Sequence, residues 1–353
     1  MLPRTPLWGW SRRFCAVRRR SCRCFRSSVR PFSRPSESGS SLRSVTPETE
    51  RAARTLTTTF ADRLAEAVER KRSQLCVGLD PRVDLLPVEL RGESVLGRAA
   101  AASAVARFCT GIIDSVAPYV VAVKPQVAFF EALGSDGWRA FEDVCAYARK
   151  VGLLVIADAK RGDIGSTARA YAAAFLESDG SAPPLADAVT VNPCLGHDSV
   201  EPFLLACRRY GSGVFFVVHT SNAGAAEIQE ATLSDGTPLW RHIAGLVHEW
   251  GKDLVGERGL SSVGAVVGAT YPREVGEARR AMPQAIILLP GVGAQGATPA
   301  DVARAFTSGP SSALVTASRS VIFAFRGADD DWRAAAASEA ARLADEVWAA
   351  AGW

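Results

Sequence analysis

From about position 60 onward the chain alternates between two apolar patterns. Short continuous runs rich in β-branched and aliphatic residues occupy 75–79, 119–124, 153–157, 188–192, 214–218, 263–268, 285–289 and 313–317. Helical stretches separate most of them, at 96–116, 138–151, 167–176, 199–210, 239–251, 272–281 and 299–307. An amphipathic helix over 60–72 leads into the first run, and a final helix over 332–350 follows the last. A strand that is apolar without alternation is buried on both faces, as in a parallel sheet covered by helices. Eight strand–helix units predict an α/β fold, a single (β/α)8 TIM barrel spanning 56–353; a doubly wound open sheet is the lesser alternative. The stretch 223–262 is longer than one helix needs, so an extra turn or loop belongs between the fifth and sixth strands.

Charge changes the picture only at the amino terminus. The chain carries 41 Lys and Arg against 37 Asp and Glu. Residues 1–55 hold thirteen Arg and three Glu, which leaves 28 basic and 34 acidic residues in the remainder. The basic character belongs to the extension, so nothing suggests nucleic-acid binding by the folded part. This Arg- and Ser-rich extension lacks hydrophobic periodicity and reads as disordered. It resembles an organellar transit peptide superficially, and a translated upstream extension without function is the preferred reading. There is no apolar run of about 18 residues, so no membrane span is expected. The eight cysteines show neither zinc spacing nor a disulfide framework, which points to a reducing, cytoplasmic setting.

Barrel chemistry sits at the carboxyl ends of the strands. There the sequence places Asp80 after the first strand, Lys124 after the second, and Asp158 with Lys160 after the third. Asn192, Thr220 with Ser221, Thr270, the turn Gly291-Val292-Gly293 and Ser318-Arg319 follow. Glycines and an arginine at strands seven and eight are where barrels hold phosphate. Strand alternation puts Asp158 and Lys160 on one face, with Asp163 just beyond. That cluster alone is equally a salt bridge capping the rim. Lys124 on the neighbouring strand favours an alternating array of two Lys and two Asp that holds Lys160 charged. Lysine is rare here, five against 36 Arg, and it can donate a proton where guanidinium cannot. His242 and His248 read as surface helix positions and Cys194 as core packing.

These residues make the chain resemble the orotidine 5′-monophosphate decarboxylase family over about 60–325. The carriers are Leu75-Cys76-Val77-Gly78-Leu79-Asp80-Pro81, Val123-Lys124-Pro125 and Asp158-Ala159-Lys160-Arg161-Gly162-Asp163, then Thr220-Ser221-Asn222, Pro290-Gly291-Val292-Gly293-Ala294-Gln295-Gly296 and Ser318-Arg319. Asn192-Pro193 and Thr220-Ser221-Asn222 resemble the actinobacterial and myxobacterial type. The resemblance implies decarboxylation of orotidine 5′-monophosphate (OMP) to UMP, the last step of de novo pyrimidine nucleotide synthesis, without cofactor or metal. It implies that Asp80 and Lys124 hold the ribose hydroxyls, that Lys124 pairs with Asp158, and that Lys160 donates the proton. Asp163, with Ile164 and Thr167, would enter the site of a partner in a homodimer. Ser221 would read the pyrimidine edge, and Gln295, the Gly291–Gly293 backbone and Arg319 would hold the 5′-phosphate. Ser318 stands where many relatives have glycine, and for His219 the resemblance implies no role. Two alternatives remain. One is a metal-dependent sugar-phosphate decarboxylase or hexulose-phosphate synthase, which carries a carboxylate at the Lys124 position. The other is a non-catalytic nucleotide-binding barrel.

Overall fold

A computed structural model of the chain describes residues 58–178, 180–293, 296–326 and 331–353. The expected disordered extension over 1–55 lies outside them. Eight parallel strands close into one barrel in sequential order. They are β1 (Leu75–Leu79), β2 (Ala122–Pro125), β3 (Leu154–Arg161), β4 (Ala188–Val191), β5 (Gly213–His219), β6 (Ser261–Val267), β7 (Ala285–Pro290) and β8 (Ala313–Ala317). The open-sheet alternative is therefore excluded, because β1 pairs with β8 as well as with β2.

The strands are apolar on both faces because each faces two cores. Leu75, Val77 and Leu79 of β1 join the layer beneath the surrounding helices, whereas Cys76 between them joins the barrel interior. Interior residues from the other strands include Ala122, Ile156, Ala188, Phe215, Val266, Leu288 and Leu314. The helix α1 (Phe60–Lys71) contributes to this same inner cluster. Its Thr59 cap accepts the Asp62 N–H, which starts the helix so that Phe60 enters the barrel. The Phe60 ring meets Phe215 edge-on at 5.8 Å, and a Cβ on Gly213 would stand 2.5 Å from that ring. The absent side chain at Gly213 makes the room for Phe60. Phe60→Ala should cost about 3–5 kcal/mol, the range for emptying a fully buried aromatic site. Equilibrium urea unfolding measures it, and a loss under about 1 kcal/mol would mean that Phe60 is not part of the barrel core.

The helices follow the sequence pattern closely at Leu239–Gly251, Pro272–Ala281 and Trp332–Ala350. Others differ in instructive ways. The helix expected from 96 begins at Arg98, after Gly97 takes a φ of 124°. This Arg98–Val116 helix, although polar residues interrupt its apolar run, is long and apolar enough on average to cross a membrane. Over half of that apolar window is buried, however, as in a barrel's core helix. Pro299–Phe306 is a 3-10 helix opened by a Thr298–Asp301 capping box. The long connection after β5 holds two short elements, α2 (Ala225–Gln229) and a 3-10 turn, Lys252–Leu254, besides the main helix. Five residues are too few for a periodic signal, so α2 was invisible in the sequence pattern.

Candidate active site

At the carboxyl ends of β2 and β3 lies a buried chain of charges. Lys124 Nζ stands 2.6 Å from Asp158 Oδ2, and Lys160 Nζ stands 2.5 Å from Asp158 Oδ1. Asp158 and Lys124 are almost wholly buried, while the Lys160 side chain is 44% exposed toward the mouth. Burial by itself would push the Asp158 carboxyl upward, but the Lys124 and Lys160 ammonium groups hold it well below the usual carboxylate range. Burial likewise lowers Lys124, and the carboxylates of Asp158 and Asp80 more than reverse that, so Lys124 stays firmly charged. Removing Asp158 would leave the buried Lys124 ammonium without its hydrogen-bonded carboxylate, at a cost of about 3–5 kcal/mol.

Strand alternation is not what brings Asp158 and Lys160 together. Register between β3 and β4 shifts between Ala157 and Arg161, and Lys160 takes φ 46°, in the left-handed region. A non-glycine residue there costs about 1–3 kcal/mol and persists only where surroundings enforce it. Thr190 supplies part of that enforcement, since its hydroxyl accepts the Lys160 N–H at 3.0 Å and donates to Asp158 Oδ1 at 3.0 Å. Sequence reading missed Thr190, although it is the only hydroxyl inside the apolar run of β4.

Around this chain the barrel mouth opens into two adjoining lobes that share Lys124, Asp158 and Pro290. The larger, about 390 Å³, is lined by Asp80, Gly291, Ser318 and Arg319, together with Arg82 and Gln126, which the sequence had not singled out. Asp80 Oδ1 is buried there without a hydrogen-bond partner, an acceptor ready for a ligand hydroxyl. Among the described residues no carboxylate pairs with Arg319, which leaves a cation facing the cavity. The smaller lobe, about 240 Å³, takes Lys160, Thr190, Thr220, Ser221 and Asn222. Its wall is more apolar, with Val266 and Leu288 rising from the barrel core.

Some expected residues are placed differently. Gly293 does not line the larger lobe, because its N–H turns back to donate to Ala297 O at 3.0 Å; Gly291 and Val292 form the wall instead. Gln295 lies outside the described residues. Ser318 lines the lobe, but its hydroxyl stands over Gly78, where a Cβ would come within 1.8 Å of it. The serine here thus requires glycine on β1. Cys194 is exposed at the rim and so is not core packing. His242 is exposed as expected, whereas His248 is half-buried. Asp163 and Thr167 line neither lobe; the Asp163 carboxylate accepts the Ile164 N–H at 2.8 Å, and Ile164 is 54% exposed beside it.

Comparison with known proteins identifies the family. Residues 73–331 match the model of the orotidine 5′-phosphate decarboxylase / HUMPS family. An orotidine 5′-phosphate decarboxylase of Rhodopirellula baltica is 46% identical over 274 residues, covering 76% of this chain and 89% of that protein. One from Deinococcus radiodurans is 43% identical over 298 residues, covering 84% and 100%. The structure of Leishmania donovani OMP decarboxylase superposes with a TM-score of 0.64 at 30% identity, covering 84% of this chain and all of that one. With the family model covering most of the barrel and relatives at 43% and 46% identity, the chain belongs to the orotidine 5′-phosphate decarboxylase / HUMPS family.

Proposed function

We propose that this protein decarboxylates OMP to UMP and carbon dioxide, without a cofactor, as the final step of de novo pyrimidine nucleotide synthesis. The observation that carries the reading is the Lys124–Asp158–Lys160 chain at the junction of a polar lobe and a smaller, more apolar one. The 5′-phosphate fits the larger lobe, where Arg319 and the Gly291 backbone offer positive charge and N–H groups. Asp80 and Lys124 take the ribose hydroxyls, and the pyrimidine enters the smaller lobe against Ser221.

The carboxylate at C6 then lies beside Asp158 and Lys160. Breaking the C6–carboxylate bond leaves its electron pair in an in-plane orbital that the ring π system cannot delocalise. The Lys160 ammonium stabilises this charge from a fixed position, needing no reorganisation as it develops. It then transfers a proton to C6, giving UMP, and is reprotonated from solvent. Asp158 and Thr190 keep Lys160 aimed. Phosphate binding far from C6 supplies energy for ordering the site.

The metal-dependent branch of the family needs a carboxylate where this chain has Lys124, and a lysine there repels a divalent cation. Purified protein incubated with OMP and EDTA should therefore show the full change in pyrimidine absorbance. Activity lost with EDTA and restored by magnesium would refute the cofactor-free reading. Arg319→Ala should raise KM for OMP by at least about 10-fold, as expected for losing a charge-assisted contact to phosphate. Turnover of the phosphate-free nucleoside should not change. An equal loss on the nucleoside would remove Arg319 from the phosphate site.

The active unit in this reading is a homodimer whose sites are shared. Asp163 and Thr167 line neither lobe of their own cavity, and exposed Ile164, next to Asp163 in the sequence, and Leu195 offer apolar surface suited to a second copy.

A further inference from the structure

The segment Thr220-Ser221-Asn222 forms one wall of the smaller lobe and lies just beyond the end of β5. Register with β6 already shifts between Val217 and His219. We propose that His219, Gln229 and Glu230 form a clamp that positions this segment and so sets affinity for the pyrimidine end of the ligand. The inference rests on the functional reading above.

Three features converge on it. The His219 ring is buried between Tyr271, at 4.8 Å, and Trp240, at 5.4 Å, with Nε2 2.7 Å from Glu230 Oε1. A carboxylate only accepts, so Nε2 carries the proton in this contact. The Gln229 side chain makes two bonds to Thr220. Its oxygen accepts the Thr220 N–H at 2.8 Å, and its amide group donates to Thr220 Oγ1 at 2.8 Å. Thr220 Oγ1 in turn donates to Asn222 Oδ1 at 2.7 Å, which closes the turn around Ser221.

The residue just past β6 packs closely on the same segment. The Gly268 N–H donates to His219 O at 2.8 Å, and a Cβ on Gly268 would stand 2.9 Å from Ser221 N. The segment is thus held by Gly268, just past β6, and by Gln229 and Glu230 at the end of α2. Neither His219 nor Glu230 lines the lobe, so both act through residues 220–222 as positioning residues. Holding a binding segment in its bound geometry removes an ordering cost that each binding event would otherwise carry. Only the ligand end that meets the segment gains from this.

The test compares two competitive inhibitors of OMP turnover: UMP, which carries the pyrimidine, and ribose 5-phosphate, which lacks it. In Gln229→Ala and His219→Phe the Ki of UMP should rise about 10-fold, the size of one or two lost hydrogen bonds. The Ki of ribose 5-phosphate should not change. Glu230→Gln keeps an oxygen for the Nε2–H and should retain wild-type UMP affinity, whereas Glu230→Ala should not. Glu230 is 44% exposed, so its variants keep the comparison possible if His219→Phe does not fold. Equal weakening of both inhibitors, or unchanged UMP affinity in folded Gln229→Ala and Glu230→Ala, overturns the clamp. A wild-type chain that binds UMP but leaves OMP intact would instead refute the functional reading, and direct binding of the two ligands would still decide on the clamp.

Discussion

Lys160→Arg should lower kcat for OMP by at least ~10³-fold, since it removes an electrostatic stabiliser and a proton donor together. Arginine keeps the positive charge, so the variant separates charge from chemistry. Guanidinium does not release a proton at any working pH, and its cationic centre sits farther out on a planar fork. The site also leaves little latitude. Lys160 Nζ is 2.5 Å from Asp158 Oδ1, and its backbone is held in the left-handed region by Thr190. Burst-free steady-state kinetics on OMP measure the loss, with UMP affinity as the control for an intact pocket. Retention of a tenth of wild-type kcat would remove Lys160 from its role. A loss in UMP affinity as large as the loss in kcat would show that the substitution had damaged binding rather than the reaction step.

Subunit complementation should restore activity to a mixture of two dead proteins. Asp163 lies past the irregular end of β3 and lines neither lobe of its own barrel, whereas Lys160 lines the smaller one. If Asp163 completes the partner's site, a Lys160→Ala chain paired with an Asp163→Ala chain forms one site with both defects and one with neither. Random exchange makes half the dimers mixed, so about one quarter of all sites should regain full activity. Each variant alone should stay inactive, and recovery should follow the extent of exchange. Mixed dimers that form and remain inactive would show that Asp163 serves its own barrel. A chain that remains monomeric at assay concentrations would refute the shared site directly.

Much of the architecture was legible in the linear pattern because burial on two faces leaves a local mark. In β1 and β8 the apolar run and the strand coincide, and the helices Leu239–Gly251 and Pro272–Ala281 begin and end where their pattern does. Short elements escaped because α2, at five residues, completes too few turns to show a period. Gly293 was misplaced for a related reason. A Gly-x-Gly turn specifies permissive backbone, not which N–H points to the cavity, and here Ala297 takes the Gly293 N–H.

By itself the sequence determined the eight-unit barrel and the chemical types gathered at its mouth, because strand and helix periods record which faces are buried and barrels bring strand ends together. Strand positions brought Lys124, Asp158 and Lys160 to one rim, while the pairing of Lys124 with Asp158 came from the family resemblance. Only the tertiary structure decided how they meet. Lys124 and Asp158 are 34 positions apart, and Thr190 is 32 from Asp158, so their hydrogen bonds depend on register between strands. That register shifts at Lys160, where alternation predicts an ordinary strand residue and the fold imposes a left-handed one. Likewise the clamp on Ser221 joins side chains from a short helix that has no periodic signature. Period encodes burial locally, whereas the aim of a polar group is set by whatever non-local neighbours satisfy its hydrogen bonds once water is excluded.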